Sequence, residues 1–71
     1  MILGLDISTS ITGFCILDGN GEIIRAGVWD MRNKKYFSNI FYKANYIKNG
    51  ILDMKVQYPI EKVFIEKHFM F

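Results

Sequence analysis

Pro59-Ile60-Glu61-Lys62-Val63-Phe64-Ile65-Glu66 is the stretch on which the fold turns. Proline ends whatever helix precedes it, because the residue before it is pushed out of the helical region. A short run of β-branched and aromatic residues then closes on an acid, which is the pattern of a strand. Immediately upstream stands the one strong helical pattern of the chain. Phe37, Ile40, Phe41, Ala44, Ile47, Ile51 and Met54 recur at steps of three and four, a single apolar stripe. Lys35, Asn39, Lys43, Tyr46, Asn49 and Asp53 fall mostly on the other faces. The spacing predicts a helix from about Lys35 to Gln57, with Ser38 as its cap if it begins later. Gly50 inside it costs roughly 1 kcal/mol relative to alanine. A long helix that delivers the chain into a strand is a crossover. It brings the new strand back parallel to an earlier one, right-handed in nearly all cases.

Upstream of the helix the pattern is that of strands. Met1 to Ser8 begins apolar and turns polar, a strand running into the loop Ser8-Thr9-Ser10. Thr12 to Asp18 reads as a second strand with an apolar centre. Asp18-Gly19-Asn20-Gly21 supplies residues that accept positive φ, the clearest hairpin turn in the chain. Glu22 to Met31 is the third strand, Gly27 marks the place for a bulge, and Asp30 to Lys35 is a polar connection. The predicted order is β-β-β-α-β: an α/β domain whose mixed sheet has three antiparallel strands and a parallel fourth. Which strand the fourth joins is not written in any local pattern.

Composition bounds this reading. The chain has 71 residues, 51% of them hydrophobic and 23% charged, which is a globular composition. At this size only about 60% of the chain's surface is buried on folding, so one small domain is the expectation. Cys15 is the only cysteine, which excludes an internal disulfide, and no zinc spacing is present. Inside Phe14-Cys15-Ile16-Leu17 it reads as a small buried apolar residue of a reducing compartment. No run approaches the ~20 apolar residues of a membrane span. Met1 to Asp6 lacks the basic start of a signal peptide, so a cytoplasmic protein is expected. The net charge of +2 permits nucleic-acid binding without arguing for it. Phe69-Met70-Phe71 ends the sequence on exposed-prone aromatics, so further chain or a partner is expected to cover them.

The chemistry lies in two acids. Asp6 sits where the first strand gives way to its loop, and Glu66 at the matching end of the fourth. If those strands are parallel neighbours, both carboxylates emerge at the carboxyl edge of the sheet, where ligands of open α/β sheets bind. Two acids so close repel unless a cation lies between them, and hard oxygen donors suit Mg²⁺ or Mn²⁺. The plain alternative makes Asp6 a turn cap and Glu66 a strand-end charge. Ser8, Thr9, Ser10 and Thr12 beside Asp6 read either as hydrogen-bond partners of a phosphate or as a turn. Arg32, Lys34, Lys35, Lys43 and Lys48, interleaved with Tyr36, Tyr42 and Tyr46, read as a nucleic-acid face or as a solvated one. Trp29 is expected in the core. His68 is open to a metal, a phosphate or no role, and Phe69 to a base wedge or to packing.

Ile2-Leu3-Gly4-Leu5-Asp6 followed by Thr12-Gly13-Phe14 resembles the opening motif of RuvC-type Holliday-junction resolvases, members of the RNase H-like superfamily. Val63-Phe64-Ile65-Glu66-Lys67-His68-Phe69-Met70 resembles that family's second motif, an apolar strand ending in Glu with Phe three residues on. The resemblance implies an RNase H-like fold, with this chain as the N-terminal half of the domain, 1–71, ending after strand four. It implies that Asp6 and Glu66 are catalytic acids holding Mg²⁺ or Mn²⁺. It implies that Phe69 is the aromatic near the junction's branch point; with it, Lys67 next to Glu66 and Ser8 and Thr9 of the loop beside Asp6 are expected to meet DNA. The implied activity is a structure-selective endonuclease hydrolysing phosphodiesters in branched DNA, acting as a homodimer. The family commonly has Pro-Gly after its first Asp, where this chain has Ile7-Ser8. It completes its site with acids or histidines on a later helix, and none of these 71 residues fills those places. Little cleavage is therefore expected of the isolated chain. The rival reading is an actin-like or sugar-kinase ATP-binding domain, which shares the β-β-β-α-β order. Asp6-Ile7-Ser8-Thr9-Ser10 and the Asp18-Gly19-Asn20-Gly21 turn fit it tolerably and Glu66-Lys67-His68-Phe69 poorly. A third is a non-catalytic remnant that binds a partner or nucleic acid.

Overall fold

The structure, a computed structural model, describes residues 1–67, with Lys67 described through its backbone. The expected positions of His68 and Phe69 lie outside the described residues. Four strands and one helix follow in the anticipated order: β1 (Ile2–Ile7), β2 (Ile11–Leu17), β3 (Ile23–Asp30), α1 (Ile40–Gln57) and β4 (Lys62–Lys67). The sheet order is β3-β2-β1-β4. β1 pairs antiparallel with β2, β2 antiparallel with β3, and β4 parallel with β1. The chain is thus a small α/β fold with a four-stranded mixed sheet, in which α1 carries the chain from one edge of the sheet to the other.

Local chemistry explains the joints. The Asp18 carboxylate accepts from the backbone N–H groups of Asn20 and Glu22, at 2.8 and 3.0 Å. Gly21 takes φ +81°, which closes the hairpin at little steric cost. The bulge falls where Leu17 pairs with Ile23 and Ile16 with Arg25, not at Gly27. Gly27 instead makes room for a ring. A Cβ there would meet Cζ of Phe14 at 2.8 Å, so its bare backbone admits the Phe14 side chain. At the sheet's other edge the N-terminal ammonium donates to Pro59 O at 2.9 Å, and Glu61 N–H to Met1 O at 2.9 Å. These bonds align the start of β4 with the start of β1.

Every second residue of β1 and β2 faces the helix. Leu3, Leu5, Phe14 and Ile16 are buried there with Trp29 and Met54, each fully buried side chain contributing roughly 1.5–3 kcal/mol. Phe14 and Trp29 stack at 4.9 Å between ring centroids. Gly50 explains the close approach of helix and sheet: a Cβ on it would lie 2.6 Å from Cζ2 of Trp29. The glycine that looks costly by helix propensity is what seats the indole.

The helix begins later than its periodicity predicts. Asn39, not Lys35 or Ser38, is the cap, its side chain accepting from Phe41 N and Tyr42 N. Upstream, Asn33 holds a turn: its backbone oxygen accepts from Tyr36 and Phe37 N–H, and its side chain from Lys35 N–H. The stripe is correspondingly shorter. Ile47, Ile51 and Met54 pack on the core, whereas Ile40 and Phe41 are exposed, Phe41 by 80%. Among the described residues no helix is long and apolar enough to cross a membrane.

Candidate metal centre

Asp6 and Glu66 stand side by side in the parallel ladder of β1 and β4, as direct Cα partners. The alternation that sends Leu3 and Leu5 into the core sends Gly4 and Asp6 to the opposite face. Partners in a parallel ladder share a face and lie on strands ~4.8 Å apart. Both acids are exposed, and both line one open hollow of about 400 Å³ on the sheet face that α1 does not cover. The residues sixty positions apart therefore meet at the carboxyl ends of two parallel strands.

The surroundings keep this place open. Gly13 is the partner of Asp6 on β2, and a Cβ on it would lie 3.8 Å from the Asp6 Cβ. Gly4 pairs with Phe64 on β4, so the floor of the hollow beside the acids is largely bare backbone. Cys15 and Phe64 supply its apolar wall. Cys15 is half-buried here rather than in the core, because among the described residues no element covers its face of β2. Two like charges on neighbouring strands repel, and a divalent cation relieves that repulsion while using carboxylate oxygens as ligands. The donor set fits Mg²⁺ or Mn²⁺ in kind. Among the described residues no group of three or more His, Cys, Asp or Glu side chains forms; the two strands bring together this one pair of acids.

The loop after β1 is held from within. The Ser8 hydroxyl donates to Ile11 O at 2.7 Å and accepts from the N–H groups of Ser10 and Ile11. Buried Thr12 donates its hydroxyl to Ser8 O at 3.4 Å. Ser8 is thus the organiser of the turn, and exposed Thr9 stands at its tip. Lys67 continues the β4 ladder opposite Ile7; Phe69 lies outside the described residues.

The basic segment leaves the sheet at the same edge, since β1, β3 and β4 run in one direction. Arg32 is clasped by Asp30, with its Nη2 at 2.8 Å from Oδ2. Hydrogen bonds from the Arg32 guanidinium and its backbone N–H hold the Asp30 carboxyl down to about 2. Lys35 lies over the Tyr36 ring at 5.7 Å, and Tyr46 packs edge-on against Phe37 at 5.1 Å. Lys34, Lys35 and Tyr36 are exposed.

The contributions of Gly4, Gly13 and Phe64 were not evident from sequence. Their signal is positional: each is the cross-strand partner of a residue in or next to the acidic pair, which only a known register reveals. Compared with protein-family models, curated proteins and solved structures, the chain matches none.

Proposed function

We propose that this chain is the strand-and-helix frame of an RNase H-like, metal-dependent endonuclease of the RuvC type, acting on branched DNA. One observation supports the reading above all others: Asp6 and Glu66, named by the two motifs, are partners on adjacent parallel strands. A sequence that merely carried two strand-end charges had no need to register them.

In this reading Asp6 and Glu66 supply hard oxygen donors to Mg²⁺ or Mn²⁺. Such an ion, when bound, lends Lewis acidity toward a phosphodiester. The chain's own residues do the rest of the positioning. Ser8 and Thr12 fix the loop that follows Asp6, so that the carboxylate leaves a rigid strand end. Gly4 and Gly13 leave room on the open face for a sugar-phosphate chain to approach. Lys34 and Lys35, at the same sheet edge, offer phosphate contacts. By the resemblance, Lys67 and Phe69 engage the DNA at a distorted step, further acids come from a later helix, and the active unit is a homodimer. The ATP-binding rival asks the loop hydroxyls to hold phosphate. Ser8 spends its hydroxyl inside the loop, which leaves Thr9 at the tip as the loop hydroxyl open to phosphate in either reading.

The test has two arms on the full chain. In the first, Mn²⁺ is titrated into isotopically labelled protein, and line broadening is expected to centre on Asp6, Gly13 and Glu66 and to vanish in Asp6→Asn. In the second, synthetic four-way junctions and linear duplexes are titrated with the protein in Mg²⁺; tighter binding to the junction is expected, with little cutting by these 71 residues alone. Broadening elsewhere, or junction cutting undiminished by Asp6→Asn, overturns the assignment.

A further inference from the structure

Beyond the two acids, the open face of the sheet carries a pattern of its own. Lys62, Phe64 and Glu66 are alternate residues of β4, all exposed. They stand in a row on one face, each roughly 6.6 Å along the strand from the next. Phe64 lines the same hollow as Asp6 and Glu66, with 59% of its surface exposed. A cation, a ring and an acid thus follow one another along the strand.

Beside the ring lies a trough. Gly4 on β1 is the partner of Phe64 on one side and of Cys15 on the other. Those two side chains rise from strands roughly 10 Å apart, with bare backbone between them. β1 is paired on both sides, so its N–H and C=O groups are engaged in the ladders. The floor is therefore flat and offers no donor or acceptor to read the edge of a base. Such a trough suits a planar ring that stacks, whatever its substituents. A duplex has no such ring to give, because its bases are already stacked and paired.

We propose that the open face is a track for unpaired DNA. One nucleobase stacks on Phe64 over Gly4, and Lys62 contacts a phosphate on one side of it. The phosphate on the other side lies at Asp6 and Glu66. That last contact rests on the nuclease reading, since two carboxylates admit a phosphate only across a cation. The stacking and the Lys62 contact do not. The face stays available as the domain continues, because a strand added beyond β4 widens the sheet sideways and covers neither Phe64 nor Gly4. Stacking without reading base edges gives little sequence preference. In a branched substrate the track selects unpaired nucleotides at the crossing.

The test titrates the full, isotopically labelled chain with oligothymidine and with a blunt duplex of equal length, in Mg²⁺ and again in a chelator. Oligothymidine is expected to shift Gly4, Cys15, Lys62 and Phe64 in both conditions, more tightly in Mg²⁺, and the duplex to shift them less. Phe64→Leu keeps an apolar side chain and removes the ring face. It is expected to weaken binding about tenfold, and Phe64→Tyr to retain it. Lys62→Gln is expected to lower the slope of log affinity against log salt by about 0.7, the share of one single-strand phosphate. Circular dichroism on each variant reports the fold. Oligothymidine that shifts none of these residues, or binding indifferent to Phe64→Leu, overturns the track and leaves the metal pair standing. Binding that needs Phe64 yet gains nothing from Mg²⁺ supports the track and overturns the nuclease reading instead.

Discussion

Asp6 and Glu66 share one rung of the β1–β4 ladder, with Gly13 completing the rung on the other side of Asp6. The consequence is electrostatic. If the proposed ion is held by this pair, removing either acid removes half of its ligands on the ladder. With Mn²⁺ well above its dissociation constant, a bound ion stabilises the folded chain by about 2.7 kcal/mol at a hundredfold excess over that constant. The melting temperature is expected to rise with added Mn²⁺ in the native chain and to stay flat in Asp6→Asn, as read by differential scanning calorimetry.

Gly50 lies against Trp29, and alanine there carries a methyl into the indole. On an open helix this substitution would stabilise by roughly 1 kcal/mol. Trp29 is buried and stacked on Phe14, so it has little freedom to retreat, and overpacking of this kind costs about 1–3 kcal/mol. Gly50→Ala is therefore expected to destabilise, seen as a lower urea midpoint with an unchanged slope. A higher midpoint would mean that helix and sheet are farther apart than described.

Asn39 caps α1 by accepting two backbone N–H bonds. Asn39→Ala is expected to cost about 1 kcal/mol, measured by denaturant titration. Ser38→Ala, one residue earlier, should change stability little. The reverse ranking would move the helix start back to where the apolar stripe alone places it.

Asp30 is held to about 2 by Arg32. Its folded value lies below the ordinary carboxylate range, so its stabilising effect is complete above roughly pH 4. That effect fades as the pH falls through about 2. An NMR titration of the Asp30 carboxyl carbon should show its midpoint near 2 in the native chain. In Arg32→Gln the midpoint should return to the ordinary range. An Asp30 midpoint of about 4 in the native chain, the ordinary carboxylate value, would remove the clasp.

Much of this fold was legible because its punctuation is local. The Asp18-Gly19-Asn20-Gly21 turn, the helical stripe through Met54 and the stop at Pro59 each act over a few residues, so sequence alone displays them. The helix start was not legible. Phe37, Ile40 and Phe41 extend the periodicity, yet Asn33 and Asn39 spend their side chains on competing backbone bonds, Phe37 packs on Tyr46 instead of the core, and Ile40 and Phe41 stay in solvent. The roles of Gly27 and Gly50 were hidden for a shared reason: each is explained by a ring from another element, Phe14 or Trp29. The acidic pair was legible only as a conditional. Asp6 and Glu66 each end an apolar strand, but local pattern does not say which strand lies next to which. The hydroxyls beside Asp6 left two readings open, and the Ser8 bonds show the turn.

The pairing of β1 with β4 also has a consequence for the order of events on a ribosome. β1, β2 and β3 are joined by short connections and can associate as soon as they emerge, whereas the rung at Asp6 waits for a residue synthesised sixty positions later. Closing so long a loop is entropically slow to be repaid. During translation the nascent sheet therefore displays β1 as a temporary edge, and its acidic corner is assembled only once α1 and β4 have been made.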